Sequence, residues 1–328
     1  LLSEGGSNEL RLFDGQGTYL TTWARKGQGP GEFTSISLPV LGPGDSILVA
    51  DGSLRRTAVF DPGGRFVRQV EHPRSLDERT FLGVMAHLPD GGMLLQSSRF
   101  GSDPTSLGGP ITRDTFAIVR AGADAARLDT VALVPGPELY PVQFKEGEYE
   151  GIGRNSPAFG RSSYTAVSAD GQLLLGTNEA NEVRVYQGGI LRRILRDGTP
   201  AQPVLEEHKV QYRRDQEANF ARSPVSEAVK AQWRENAARS ERFAETMPYY
   251  ERLLFGTDGS IWVEAKRRFD DEGRRDVVYG ADGRAVARAV FPDRVRPLQV
   301  GPDEMIGMWR DPDDVVHLRI WRVGPVGR

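Results

Sequence analysis

Short apolar runs, separated by turns that carry glycine, proline and aspartate, set the rhythm of the chain. Leu38 to Leu41, Ile47 to Ala50, Thr57 to Phe60 and Phe66 to Val70 are the clearest set, with Gly44-Asp45 between the first two and Asp61-Pro62-Gly63-Gly64 between the last two. Runs this short and rich in β-branched and aromatic residues read as strands. Together they form a meander: strand, tight turn, strand, variable loop, strand ending in Phe or Tyr, tight turn, strand. The first turn recurs at Asp90-Gly91, Asp170-Gly171, Asp258-Gly259 and Pro302-Asp303, so that its aspartates are separated by 45, 80, 88 and 45 residues. A bare period near 45 with four strands per copy is the signature of β-propeller blades.

Counting third and fourth strands gives units at Glu9 to Trp23, Thr57 to Val70, Phe116 to Val134, Glu182 to Leu195 and Asp276 to Val290, with a sixth at Leu298 to Val323. The expected fold is all-β, a six-bladed β-propeller of four-stranded blades forming one domain over residues 1–328, with a five-bladed ring plus spare strands as the alternative. The first unit lacks its inner strand and the last its outer one, which is what an N-terminally trimmed chain would show. Two segments break the period. Residues 136–161 have neither helical nor strand periodicity and read as a long loop bearing Tyr140, Phe144, Tyr149 and Phe159. Residues 203–250 read as a helical hairpin inserted between blades four and five. Its second helix is expected to start at Ser223-Pro224 and to carry a stripe of Val225, Val229, Trp233 and Ala237. That stripe is expected to pack onto the loop-bearing face as a lid.

The chain has 42 Lys and Arg against 45 Asp and Glu, a formal charge of -3, which gives no net field for nucleic acid or an anionic membrane. No cysteine is present, which excludes disulfides, thiolate metal sites and a cysteine nucleophile. No apolar run is long enough for a membrane helix.

The segment Arg25-Lys26-Gly27-Gln28-Gly29-Pro30-Gly31-Glu32-Phe33 resembles the G-x-G-x-G-P-G-E-F element of bacterial six-bladed propellers of the NHL and TolB-like type. Met247-Pro248-Tyr249-Tyr250, leading into Leu253-Leu254 and Asp258-Gly259-Ser260-Ile261-Trp262-Val263, resembles a blade opening of the same group. The resemblance implies architecture and a periplasmic, secreted or lipid-anchored setting, and no single activity.

The Gly27 to Gly31 run lacks the Gly-Lys-Ser/Thr ending and the following helix that a phosphate loop needs, and reads as a turn. His72, His87, His208 and His317 are too dispersed for local metal-ligand spacing and read as structural or surface residues. Asn178, Glu179, Asn181 and Glu182, with Asp270, Asp271 and Glu272, are hard oxygen ligands of the kind calcium takes, and gluconolactonase-like six-bladed enzymes use such groups around a central metal. These acids fall in loops toward the middle of a blade. The working expectation is therefore no cofactor, with calcium as the exception to test. First-strand entries place Arg161, Tyr249, Glu251 and Arg296 at a common mouth on the face that carries the long loops, near Arg25 and Lys26, with Tyr149 and Tyr164 as further aromatic candidates. Guanidinium groups beside aromatic faces suit a small anionic molecule, a sugar acid, a peptide or a protein surface. The bland alternative is that Arg161, Glu251 and Arg296 pair with one another. No nucleophile with an adjacent base is legible. The leading expectation is a non-catalytic extracytoplasmic binding propeller; a metal-dependent lactonase or lyase and a structural interaction scaffold are the alternatives.

Overall fold

In a computed structural model of the chain, describing residues 1–37, 39–78, 80–99, 109–146, 149–266, 273–292, 294–313 and 315–324, the apolar runs form six successive antiparallel sheets. The first contains β1 (Leu2–Glu4), β2 (Glu9–Phe13) and β3 (Tyr19–Ala24). The second is a full meander of β4 (Val40–Leu41), β5 (Ile47–Asp51), β6 (Arg56–Phe60) and β7 (Phe66–Glu71). The third runs through β8 (Thr80–His87), β9 (Met93–Arg99), β10 (Thr112–Ala121) and β11 (Leu128–Glu146), which continues into a hairpin with β12 (Tyr149–Asn155). β13 (Ser163–Val167), β14 (Gln172–Thr177), β15 (Glu182–Gln187) and β16 (Ile190–Arg196) form the fourth sheet. After a two-helix insertion come β17 (Tyr250–Phe255), β18 (Ile261–Ala265), β19 (Arg274–Tyr279) and β20 (Ala285–Phe291). The last sheet has three strands, β21 (Val295–Val300), β22 (Glu304–Arg310) and β23 (Val316–Arg322). Six such meanders are the strand organisation of a six-bladed β-propeller.

The second strands β5, β9, β14 and β18 bury consecutive residues on both faces, so their sequences contain continuous apolar runs rather than alternation. Val49, Leu95 and Leu174 are each wholly inaccessible. Tight turns are held by their own aspartates. Asp14 Oδ1 receives the amides of Gln16 and Thr18 at 2.9 and 2.8 Å, and Asp61 Oδ1 those of Gly63 and Arg65 at 3.0 and 2.9 Å. Side-chain capture of this kind is why Asp recurs where the repeat turns. Gly64 needs to be glycine twice over: its φ is +84°, and a Cβ there would lie 2.3 Å from the Trp23 ring.

The chain divides into two compact units. Leu1–Ser102, Phe116–Val134 and Ala169–Gly171 make the first, and Asp103–Thr115, Pro135–Ser168 and Gln172–Arg328 the second. In the first unit, Leu10, Phe33, Val49, Ala58 and Phe60 form one core cluster, and Leu82, Met93, Leu95 and Val119 another. In the second, Leu174, Val183, Val185, Tyr250, Leu253 and Ile261 pack between the fourth and fifth sheets, and Trp262, Val278, Phe291, Val300 and Met305 between the fifth and sixth.

Two expectations about the insertions need correction. Residues 136–161 are mostly a hairpin rather than a loop, with Tyr140 opposite Asn155 and Val142 opposite Gly153. Pro135, Pro137 and Pro141 mask the strand, because proline reads as a breaker until its register is known. The helical hairpin exists as α1 (Glu206–Arg222) and α2 (Glu227–Ser240), but α2 is capped by Ser226, which accepts from the Val229 amide; Ser223 closes α1 instead. Val225 therefore precedes the helix. Trp233 is half-buried and meets Phe220 of α1 at 5.8 Å between centroids, so the apolar stripe joins the two helices. Arg234 reinforces that join by pairing with Glu217 at 2.6 Å. α1 is the docked helix. Tyr212 and His208 contact the ring of Phe159, and Tyr212 also contacts Phe243 at 5.7 Å. The strand-like segments around Ala158 and Phe243 pair in parallel beneath it.

Candidate functional site

The glycine-rich segment of the first unit is a clamp built for its own chain. The Phe33 amide donates to the Arg25 carbonyl and the Gly27 amide to the Phe33 carbonyl, each at 3.0 Å, so the segment closes on itself. Within the loop, Glu32 takes the Gly29 amide at 2.9 Å and the Arg25 guanidinium at 3.2 Å; these two contacts hold its carboxyl below the usual range. A Cβ on Gly27 would fall 2.0 Å from that carboxylate. From the neighbouring meander, Arg56 Nη2 donates to the carbonyls of Gln28, Gly29 and Glu32 at 3.0, 2.6 and 3.1 Å. The loop's carbonyls and amides are thus engaged internally. Arg25 lies exposed on the rim of this clamp, and Lys26 forms a bridge with Phe33.

Most of the other candidates fall in the second unit, where the first strands of successive meanders are neighbours: β13 lies beside β17, and β17 beside β21. Tyr164 on β13 meets Tyr250 on β17 edge-on at 5.9 Å. Tyr250 is fully buried and donates its hydroxyl to the Glu182 carbonyl at 2.9 Å; desolvation pushes its phenol well above the usual value. Burial raises Tyr164 too, followed by the carboxylates of Glu251 and Glu264. Glu251 sits at a break in register between Tyr250 and Arg252, so a bulge re-aims it out of strict alternation. Lys266 Nζ lies 2.6 Å from its Oε2. Tyr249 packs half-buried against the same core, and its amide donates to the Asn178 carbonyl at 3.0 Å.

Arg161 sits at the entry to β13 in a network of its own. Its Nη1 lies 3.2 Å from Glu138 Oε1, its Nη2 donates to Thr246 Oγ1 at 3.0 Å, and its Nε is 4.0 Å from Glu179. Arg113 also pairs with Glu179 and donates to the Gly136 carbonyl at 2.8 Å. The alternative of mutual pairing among Arg161, Glu251 and Arg296 does not hold among the described residues: Arg161 is engaged by Glu138, Thr246 and Glu179, and Glu251 by Lys266. Arg296 is exposed on β21, opposite Met308, and makes no hydrogen bond or ion pair among the described residues. Tyr149 lies on β12 opposite Glu146; its side chain is outside the described residues.

The oxygen groups considered for calcium are largely engaged. Asn178 Oδ1 accepts the Ser162 amide at 2.7 Å, Glu179 pairs with Arg113, and Glu182 pairs with Arg184 and Arg196 at 2.9 and 2.7 Å. Asp270, Asp271 and Glu272 lie outside the described residues. Among the described residues no three His, Asp or Glu side chains converge as a metal site.

Lys266, Glu138 and Thr246 were not anticipated from sequence. Lys266 had a detectable signal, since it follows its second strand as Asn178 does: the Lys266 amide donates to the Tyr249 carbonyl as that of Asn178 donates to Ser162. Glu138 and Thr246 lie in insertions outside the repeat and carry no such mark.

The sequence matches no family model and no curated protein. Among solved structures it is similar to a member of the DUF4221 family from Bacteroides vulgatus, at 12% identity over 96% of this chain and 87% of that one, with a TM-score of 0.49. A protein from Bacteroides fragilis described as exported is 12% identical over 93% and 75%, TM-score 0.43. Virginiamycin B lyase from Staphylococcus aureus is 10% identical over 96% and 78%, TM-score 0.38. Among the described residues no helix is long and apolar enough to cross a membrane. These likenesses specify no activity; the six-bladed β-propeller architecture rests on the six successive meanders of the chain itself.

Proposed function

We propose that the protein is a non-catalytic, extracytoplasmic binding propeller that takes a small anionic molecule, of the sugar-acid or peptide-carboxylate type, at the first strands of its second unit. The carrying observation is Arg296: an exposed guanidinium without a described partner, on the strand next to the one bearing Glu251. A free guanidinium fork matches a carboxylate bidentately, and the Tyr164 and Tyr249 rings supply apolar surface for a sugar ring or side chain. The Glu251–Lys266 pair offers an acceptor and a donor for hydroxyls. The extracytoplasmic setting is supported by the resemblance of the Gly27 to Phe33 element to exported propellers.

Calorimetric titration with galacturonate, gluconate and a short peptide tests the reading. At least one carboxylate is expected to bind, with its neutral counterpart weaker, and Arg296→Ala is expected to lower affinity about tenfold at unchanged melting temperature. Equal binding of acid and neutral sugar, or an unaffected variant, would sink it.

A further inference from the structure

Arg55 ends the turn between β5 and β6 in a conformation that its side chain disfavours, with a φ of +53° in the left-handed region. Asn8, at the same point just before β2, has a φ of +56°. Asparagine tolerates this region, whereas a long side chain is strained in it. Asn181, just before β15, stands at the same place: its carbonyl takes the Asp197 amide at 3.1 Å as that of Arg55 takes the His72 amide at 2.8 Å. Where two other meanders have asparagine, the second keeps an arginine at a cost in backbone energy.

The guanidinium is gripped and left without a counterion. Nη2 donates to the carbonyls of Pro73 and Leu82 at 2.6 and 3.2 Å, and the group lies over the Phe81 ring at 4.2 Å. Nε is buried with no acceptor, and Nη1 makes no hydrogen bond among the described residues. Arg74 follows Pro73, and its carbonyl takes the Leu82 amide at 3.1 Å, so a second guanidinium springs from the backbone that the first one grips. Arg74 is exposed, and neither arginine has an ion pair among the described residues. Desolvation, and after it repulsion from Arg74, lowers Arg55 below the usual arginine value. Of the acids in these loops, Asp51 accepts the amides of Thr34, Ser53 and Leu54, Glu71 the side chain of Gln69, and Asp77 that of Thr80; Glu78 is exposed. A desolvated charge without a partner is costly, and strain and uncompensated charge collect at functional sites.

Geometry narrows the anion. A planar carboxylate is best matched by two parallel N–H donors of one guanidinium. With Nη2 spent on two carbonyls and Nε inaccessible, Arg55 offers Nη1 alone. A tetrahedral oxyanion accepts single donors from separate side chains, and a phosphoryl group carries about −1.5 to −2 at neutral pH, against two uncompensated positive charges.

We propose that Arg55 and Arg74 form an oxyanion site in the first unit that takes the phosphoryl group of a small phosphomonoester, independently of the site at Arg296. Arg55 is the fixed donor and Arg74 the exposed, adjustable one.

The test is calorimetric titration with glycerol phosphate, inorganic phosphate and acetate at constant ionic strength, in an Arg296→Ala background so that the second-unit site does not contribute. Glycerol phosphate is expected to bind saturably and more tightly than either other anion, and Arg74→Ala is expected to lower its affinity about tenfold at unchanged melting temperature. Arg55→Asn, which places here the residue of the other two meanders, is expected to abolish binding. Because it also removes the Pro73 and Leu82 contacts, its melting curve is the folding control, and Arg74→Ala decides the matter if it unfolds. The site is overturned by no saturable binding, by acetate binding as tightly as glycerol phosphate, or by an Arg74→Ala variant that binds like the parent. Tighter binding of inorganic phosphate than of glycerol phosphate overturns the assignment to an ester.

Discussion

Thr57 Oγ1 lies 2.7 Å from His87 Nε2 in the buried interior of the first unit, and the same hydroxyl lies 2.8 Å from His72 Nε2. One hydroxyl carries one proton, so it donates to one ring, which is unprotonated at that Nε2, and accepts from the Nε2–H of the other. Desolvation lowers each to about 4 from 6.5; His87 and Arg55 add to the effect at His72, against a smaller opposing pull from Asp51.

An acid-sensitive stability follows. Between pH 6.5 and about 4 the unfolded chain binds protons that the folded one refuses, so stability falls as pH drops through that window. The upper limit is about 3 kcal/mol per histidine. Urea unfolding at a series of pH values is expected to show this slope, and His87→Phe is expected to flatten it. An unchanged slope in the variant would assign the acid sensitivity elsewhere.

Glycine at position 31 is expected to resist replacement. Its φ of +73° and the Phe66 Cβ only 3.2 Å from a would-be side chain make Gly31→Ala costly by about 1–3 kcal/mol. Chemical denaturation would reveal the loss; a stability equal to the parent's would show that the clamp relaxes freely.

For the helical hairpin, the docking residues and the joining residues separate cleanly. Phe159→Ala removes the ring shared by His208, Tyr212 and Phe243, and is expected to speed hydrogen exchange along both helices. Trp233→Ala is expected to accelerate α2 far more than α1. Equal acceleration of the two helices in the Trp233 variant would refute this division.

At the first-strand cluster, Glu251→Gln removes a negative charge beside Tyr164 and frees Lys266. Both changes favour phenolate, so the Tyr164 titration is expected to move down toward the ordinary tyrosine value. Ultraviolet difference titration of parent and variant reads this directly, and coincident curves would mean that Glu251 does not act on the phenol.

The fold was legible where the chain repeats itself. Asp45, Asp90, Asp170, Asp258 and Asp303 mark equivalent turns because each blade needs the same backbone reversal, and the apolar second strands follow from burial on both faces. The insertions carry no repeat against which to align them. β11 was hidden by its prolines, and the docking of α1 depends on Phe159 and Phe243, which local periodicity cannot connect. The site was legible only in its residue types. Arg161 could be placed at a strand entry, but its partners Glu138 and Thr246 lie 23 and 85 residues away, and their choice is a property of packing.

β11 belongs to both compact units, the first up to Val134 and the second from Pro135 onward. During synthesis this gives the units an order in time. Residues up to Val134 emerge first and bring out β8, β9, β10 and the leading half of β11, together with the Asp103–Thr115 stretch of the second unit, while only the turn segment Ala169–Gly171 of the first unit is still to come. The part of the second unit from Pro135 onward then begins on a strand whose leading half is already paired, so its hairpin starts from an ordered template rather than from free chain, with less loop-closure entropy to overcome.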